Sequence, residues 1–108
     1  MKVLFDQGTP APLRHFLTGH EVETAYERGW STLRNGELLA AAEAEFEVLI
    51  TTDQNLRYQQ NLTDRKLAIL VLPTTSWPRL KNFSAAILAT LNQLPPGGYA
   101  EFLLDGPR

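Results

Sequence analysis

Apolar residues in this chain follow two rhythms. Val3 to Phe5, Val48 to Ile50 and Leu67 to Leu72 are unbroken apolar runs, the pattern of short strands buried on both faces. His20 to Tyr26 is weaker, with Glu21 and Glu23 alternating with Val22 and Thr24. That alternation predicts an edge strand, where charge discourages a further partner. Elsewhere the period lengthens. Leu38, Leu39, Ala42 and Phe46 fall on one stripe of "GELLAAAEAEF", a stretch of strong helix formers. Leu80, Phe83, Ile87, Leu91 and Leu94 form a second helical stripe.

The breaks between these blocks carry their own signals. Thr9 and Pro10 predict a helix start, since proline's missing N–H costs nothing in a first turn, and Gly19 ends that short helix. "ERGWSTLRNG" reads as a loop, with Asn35 as the cap of the helix that follows. Asn55 begins a short polar helix, "LRYQQNL", and Pro73 stops the fourth strand. Ser76 is the expected N-cap of the last helix, with Pro78 just inside it. "PPGG" ends that helix, and "YAEFLL" is expected to pair as a last strand or to lie along a partner. Strands alternating with helices predict parallel pairing through right-handed crossovers, with helices on both faces. The expected fold is α/β: a three-layer α/β/α sandwich with a mainly parallel central sheet. Residues 1–108 form a single domain, of which 95–108 are a C-terminal tail.

Composition narrows the chemistry. The chain lacks cysteine, which removes disulfides, thiolate metal sites and cysteine nucleophiles together. A net charge of −2 argues against a dedicated nucleic-acid binder, whose affinity comes from clustered Lys and Arg. No apolar run approaches the ~20 residues that span a bilayer, so no membrane role is expected. The acidic residue at Asp6 is unlike a secretory leader, which sets a cytoplasmic location as the expectation. Without such a leader, the glycosylation-like pattern at 61–63 reads as chance.

"VLFDQG", residues 3–8, and "VLITTDQN", residues 48–55, each close an apolar run with Asp-Gln. In an open parallel sheet the working crevice lies beyond the carboxyl ends of the strands, where strand order reverses. Neighbouring first and third strands would bring Asp6 and Asp53 to that crevice. Strands lie ~4.8 Å apart, so two such carboxylates repel unless they share a proton or hold a hard divalent cation. Mg2+ or Mn2+ suits oxygen ligands, and there activates water and stabilises charge on a phosphate. Glu37, in the first turn of its helix, is the third candidate for both catalysis and metal binding. Thr51 or Thr52 is placed to orient a carboxylate or water, and Arg14 and Arg57 to meet a phosphate. Each residue also has a plainer reading. Asp6 starts a turn, Asp53 caps the next helix, and Glu37 answers the helix dipole. The threonines suit a strand, and the arginines are solvated or screen nearby acids. Trp30 is expected to cover the sheet's end, Trp77 to pack, and His15 and His20 to be structural.

The run "MKVLFDQGTPAPLRHFL" with "GHEV", followed by "NGELLAAAEAEFEVLITTDQNL", resembles the small PIN-like proteins of unknown function, often labelled toxin-like. The resemblance covers the first two thirds of the chain. It implies a PIN-like fold and a Mg2+-dependent ribonuclease site. Relatives include ribonuclease toxins neutralised by an antitoxin encoded alongside them. Asp6 and Asp53 match the family's aspartates, and Glu37 matches a Glu at the helix start. Asn35 stands where many relatives have Asp, and Gln7 where many have Glu. Two functions follow as expectations. One is a metal-dependent ribonuclease acting on RNA, with Asn35 and Thr52 beside the arginines in substrate binding. The other is an inactive PIN-like protein that pairs with a small antitoxin-like partner. A signalling receiver domain ranks third, because Gln7 breaks the acidic pair and no Lys follows a fifth strand. The apolar tail "GGYAEFLL" adds the expectation of docking on its own sheet or on a second copy, as a homodimer.

Overall fold

The structure, a computed structural model, describes every residue except 60, 61, 63, 64 and 105–108, and every side chain among these except those of Asn35 and Gln59. The far end of the short polar helix and the glycosylation-like pattern therefore lie outside the described residues, as does the side chain of Asn35. The described residues form five strands: β1 (Lys2–Phe5), β2 (Glu21–Thr24), β3 (Val48–Thr51), β4 (Ala68–Val71) and β5 (Tyr99–Glu101). They form a single sheet in the order β2-β1-β3-β4-β5, and every neighbouring pair is parallel. β2 lies at the edge, as its alternating glutamates predict.

Successive residues of a strand point to opposite faces, and the core divides accordingly. Val3, Phe5, Val48, Ile50, Ala68 and Leu70 join Leu13 and Leu17 of the first connection and Leu80, Ile87 and Leu91 near the end of the chain. On the other face Leu4, Leu49, Ile69 and Val71 meet Leu39, Ala42 and Phe46 with Leu56. Those last four belong to, or directly follow, α1 (Asn35–Glu45) and α2 (Leu56–Gln59). The continuous apolar runs are thus explained: each of their residues has a helical partner on one face or the other. The fold is a compact α/β sandwich.

Several local expectations change. The first helix is a 3₁₀ helix, Ala11–Phe16, entered from Pro10. The cap of α1 is Arg34 rather than Asn35, because Glu37 reaches back to accept the Arg34 N–H at 3.2 Å. Ser76 occupies the N-cap position of α3 (Trp77–Leu80) without a side-chain cap bond; its own N–H instead donates to Thr74 Oγ1 at 3.1 Å. The last helix is not continuous. A 3₁₀ turn, Lys81–Phe83, separates α3 from α4 (Ser84–Gln93), and Ser84 Oγ donates to the Lys81 carbonyl at 2.6 Å. The tail docks on its own sheet. Ile69 N–H reaches the Gly98 carbonyl and Phe102 N–H the Val71 carbonyl, both at 2.8 Å, and Phe102 and Leu104 pack into the first cluster. Gly97 makes the turn into β5. Its φ is +72°, and a Cβ there would lie 2.6 Å from the Arg65 carbonyl oxygen.

Candidate functional site at the carboxyl edge of the sheet

From β1 the chain crosses to β2 on one side and later to β3 on the other, so strand order reverses between β1 and β3. Asp6 is the first residue after β1, and its N–H donates to the Ile50 carbonyl at 3.2 Å. Asp53 is the second residue after β3. Both aspartates therefore leave the same edge of the sheet from adjacent strands. Thr51 joins them: its hydroxyl donates to Asp6 Oδ2 through a short bond and accepts the Asp53 N–H at 3.1 Å.

Each carboxylate also serves its own turn. Asp6 Oδ1 accepts the Thr9 N–H at 3.2 Å and the Thr9 hydroxyl at 2.8 Å. That hydroxyl lies equally 2.8 Å from the Ile50 carbonyl, so its single proton serves one acceptor at a time. Asp53 Oδ1 accepts the Asn55 N–H at 2.9 Å, ahead of α2. Thr9 and Thr51 are both buried. The repulsion expected between the two acids is thus offset at Asp6 by neutral donors.

The remaining candidates are dispersed. Glu37 is exposed and caps its own helix through Arg34. Among the described residues, no group of three or more His, Asp or Glu side chains could hold a metal ion. Thr52 Oγ1 lies against Gly8, so close that a Cβ there would overlap it; this contact seats the loop after β1 on the loop after β3. Arg14 forms a bidentate pair with Glu27, both N···O distances being 3.1 Å, and donates to the Val22 carbonyl at 2.7 Å. The Arg14 hydrogen bond, followed by one from the Thr24 N–H, holds the Glu27 carboxyl below its ordinary range. Arg57 stacks on Tyr58, 4.7 Å from its ring centroid, and pairs with Glu101 of β5 at 3.6 Å. β5 lies three strands from β1, on the order of 14 Å at ~4.8 Å per strand. Arg57 therefore belongs to the far side of the edge from Asp6.

Asp6 and Arg14 do share a cleft of about 610 Å³, lined also by Gln7, Thr9, Tyr26 and Glu27. Tyr26 and Glu27 are absent from the residues singled out above, since a loop's shape leaves no periodic trace. Gln54 was likewise not singled out: its Nε2 donates to the Leu72 carbonyl and, at 3.3 Å, to that of Thr52, tying the loop after β3 to the end of β4. Trp30 packs edge-on to Phe46 with 6.0 Å between centroids, and Trp77 lies 5.5 Å from Phe16. His20 Nε2 is 2.7 Å from Asn92 Oδ1.

The Mg2+ or Mn2+ implied by the resemblance asks for several hard oxygen donors converging on one point. A carboxylate has about four lone-pair sites, and Asp6 spends two of them on the Thr9 N–H and the Thr51 hydroxyl and shares the Thr9 hydroxyl with the Ile50 carbonyl. With Glu37 capping a helix elsewhere, the residues do not fit a dedicated divalent-cation site. No family model, no curated protein and no solved structure matches the chain.

Proposed function

We propose that this is a PIN-like protein whose carboxyl edge serves recognition rather than metal-assisted hydrolysis, pairing with a small antitoxin-like protein. The observation that carries this reading is the use of Asp6, which accepts the Thr9 N–H and the Thr51 hydroxyl and shares the Thr9 hydroxyl with the Ile50 carbonyl. Glu37 likewise holds a helix end. Hard-cation affinity rises with ligand charge, and this edge offers two aspartates where a nuclease of the resembled type needs more. No helix among the described residues is long and apolar enough to cross a membrane, and a cytoplasmic location goes with this reading.

A second reading, a metal-dependent ribonuclease, draws on one observation: Asp6 and Asp53 leave adjacent strands and meet through Thr51. An RNA-cleavage assay separates the two. Purified protein is incubated with RNA in Mg2+ or Mn2+, beside Asp6→Asn and Asp53→Asn. The recognition reading expects no metal-dependent cleavage by any of the three proteins. Cleavage by the wild type that both substitutions abolish would establish the hydrolase.

A further inference from the structure

We infer that β5 is a docking edge for β5 of a second copy of this chain, the two strands pairing antiparallel about a two-fold axis at Ala100. The inference is independent of the reading of the carboxyl edge, because β5 lies three strands from β1. Among the described residues no strand lies beyond β5. Its bonds to β4 use the Gly98 carbonyl and the Phe102 N–H. Successive residues of a strand turn their backbone groups to opposite sides. Ala100 therefore faces β4, while the N–H and C=O of Tyr99 and Glu101 face outward. An open row of this kind is a template for another strand.

Charge separates this edge from the other one. β2 carries two carboxylates, Glu21 and Glu23. β5 carries only Glu101, which pairs with Arg57 at 3.6 Å and accepts the Tyr99 hydroxyl at 2.8 Å. Its charge is cancelled on the spot. Tyr58, stacked on Arg57 and 72% exposed, and Leu103, 51% exposed, flank the strand with apolar surface. A two-fold axis sets the strand against itself, and the axis can fall at Tyr99, Ala100 or Glu101. At Glu101 it would put like charges directly opposite, which destabilises. At Tyr99 it would run Glu101 against Gly97, where the chain turns at φ +72°. At Ala100 all three residues of β5 stay paired. Tyr99 then lies opposite Glu101 of the second copy, and each such pair exchanges both N–H···O bonds. Ala100 meets its counterpart at the closer Cα spacing of about 4.5 Å, where a methyl side chain fits. The strand complements itself, so the occupant is a second copy. So short a strand makes a small interface and a weak dimer, with a Kd on the order of 100 μM.

Sedimentation equilibrium of the full chain reads the mass, and a single introduced cysteine reads the register, since the chain has no cysteine of its own. The wild type should pass from monomer toward dimer between about 10 and about 500 μM. Glu101→Pro removes an outward N–H with the carboxylate and no bond to β4, and Leu103→Lys adds charge at an exposed position beside the edge. Each should weaken dimerisation at least about fivefold while circular dichroism shows the fold kept. The lysine variant carries this arm if the proline variant does not fold. Under mild oxidation Ala100→Cys should form a covalent dimer, because a Cα spacing of ~4.5 Å lies within the ~4.4–6.8 Å that disulfides span. Glu101→Cys, across a diagonal of ~7–8 Å, should crosslink at least about fivefold more slowly. The inference is overturned by a monomer at about 500 μM, or by association that grows past two copies. It is equally overturned by a dimer that the folded edge variants leave unchanged, or by faster crosslinking of Glu101→Cys.

Discussion

Thr51 has 1% of its surface exposed, and its hydroxyl has two partners: it donates to Asp6 and accepts from the Asp53 N–H. Replacing it with valine keeps the shape and removes both bonds. A buried polar group left unpaired costs about 1–3 kcal/mol, toward the upper end when it is charged. We therefore expect Thr51→Val to lose about 2 kcal/mol in urea unfolding. Thr51→Ser, which keeps the hydroxyl, should lose only about 0.8 kcal/mol for the missing methyl. A valine variant no less stable than the serine variant would show that the hydroxyl does not hold the edge together. The aspartates were legible in the sequence because each closes an apolar run. A hydroxyl at 51 or 52 was legible as a candidate to orient one of them. Which threonine does so was not, because Thr51 Oγ1 meets Asp6 while Thr52 Oγ1 meets Gly8, a distinction of tertiary geometry. Thr9 was not legible either: its role needs the Asp6–Thr9 turn to fold back onto β3.

At the scale of elements, the apolar runs set the strands, and their lack of alternation foretold a sheet covered on both faces. The break between α3 and α4 escaped the pattern, since the apolar stripe runs straight through Lys81–Phe83. The bond from Ser84 Oγ to the Lys81 carbonyl is a local choice that a stripe does not record. Of the tail, Tyr99–Glu101 pairs beside β4, as the last-strand alternative expects. That docking leaves a titratable mark. Tyr99 on β5 has its phenol pushed up to about 12 from 10.0, first by burial and then by donating its hydroxyl to Glu101 Oε2 at 2.8 Å. The folded state therefore holds this proton at pH values where the unfolded chain has released it. The stabilisation is complete below pH 10.0 and falls as pH rises toward about 12. Thermal unfolding followed across that window should show a decline that Tyr99→Phe reduces. Ultraviolet titration should show one tyrosine ionising well after an exposed one. A Tyr99→Phe variant with an unchanged pH profile would mean that β5 does not hold the phenol in this way.

At the scale of the molecule, the sheet order determines what can meet. The reversal between β1 and β3 brings Asp6 and Asp53 to one edge, and this much followed from two repeated motifs in an alternating α/β pattern. The third carboxylate did not follow, because a residue in a helix's first turn can face the crevice or close its own cap, and Glu37 does the latter. Metal titration tests the consequence for the whole fold. An ion that binds only the folded state stabilises it by RT ln(1 + [L]/Kd), about 2.7 kcal/mol at a hundredfold excess over Kd. For a domain of this size each 1 kcal/mol moves the unfolding midpoint by about 4 °C or more. A genuine site with a Kd of about 50 μM would therefore raise the midpoint by roughly 10 °C in about 5 mM Mn2+. The donors at this edge predict a rise of less than about 1 °C, the same in wild type and Asp53→Asn. A large rise in the wild type, absent from Asp53→Asn, would mean that the aspartates exchange their hydrogen bonds for a cation. The hydrolytic reading would then replace recognition.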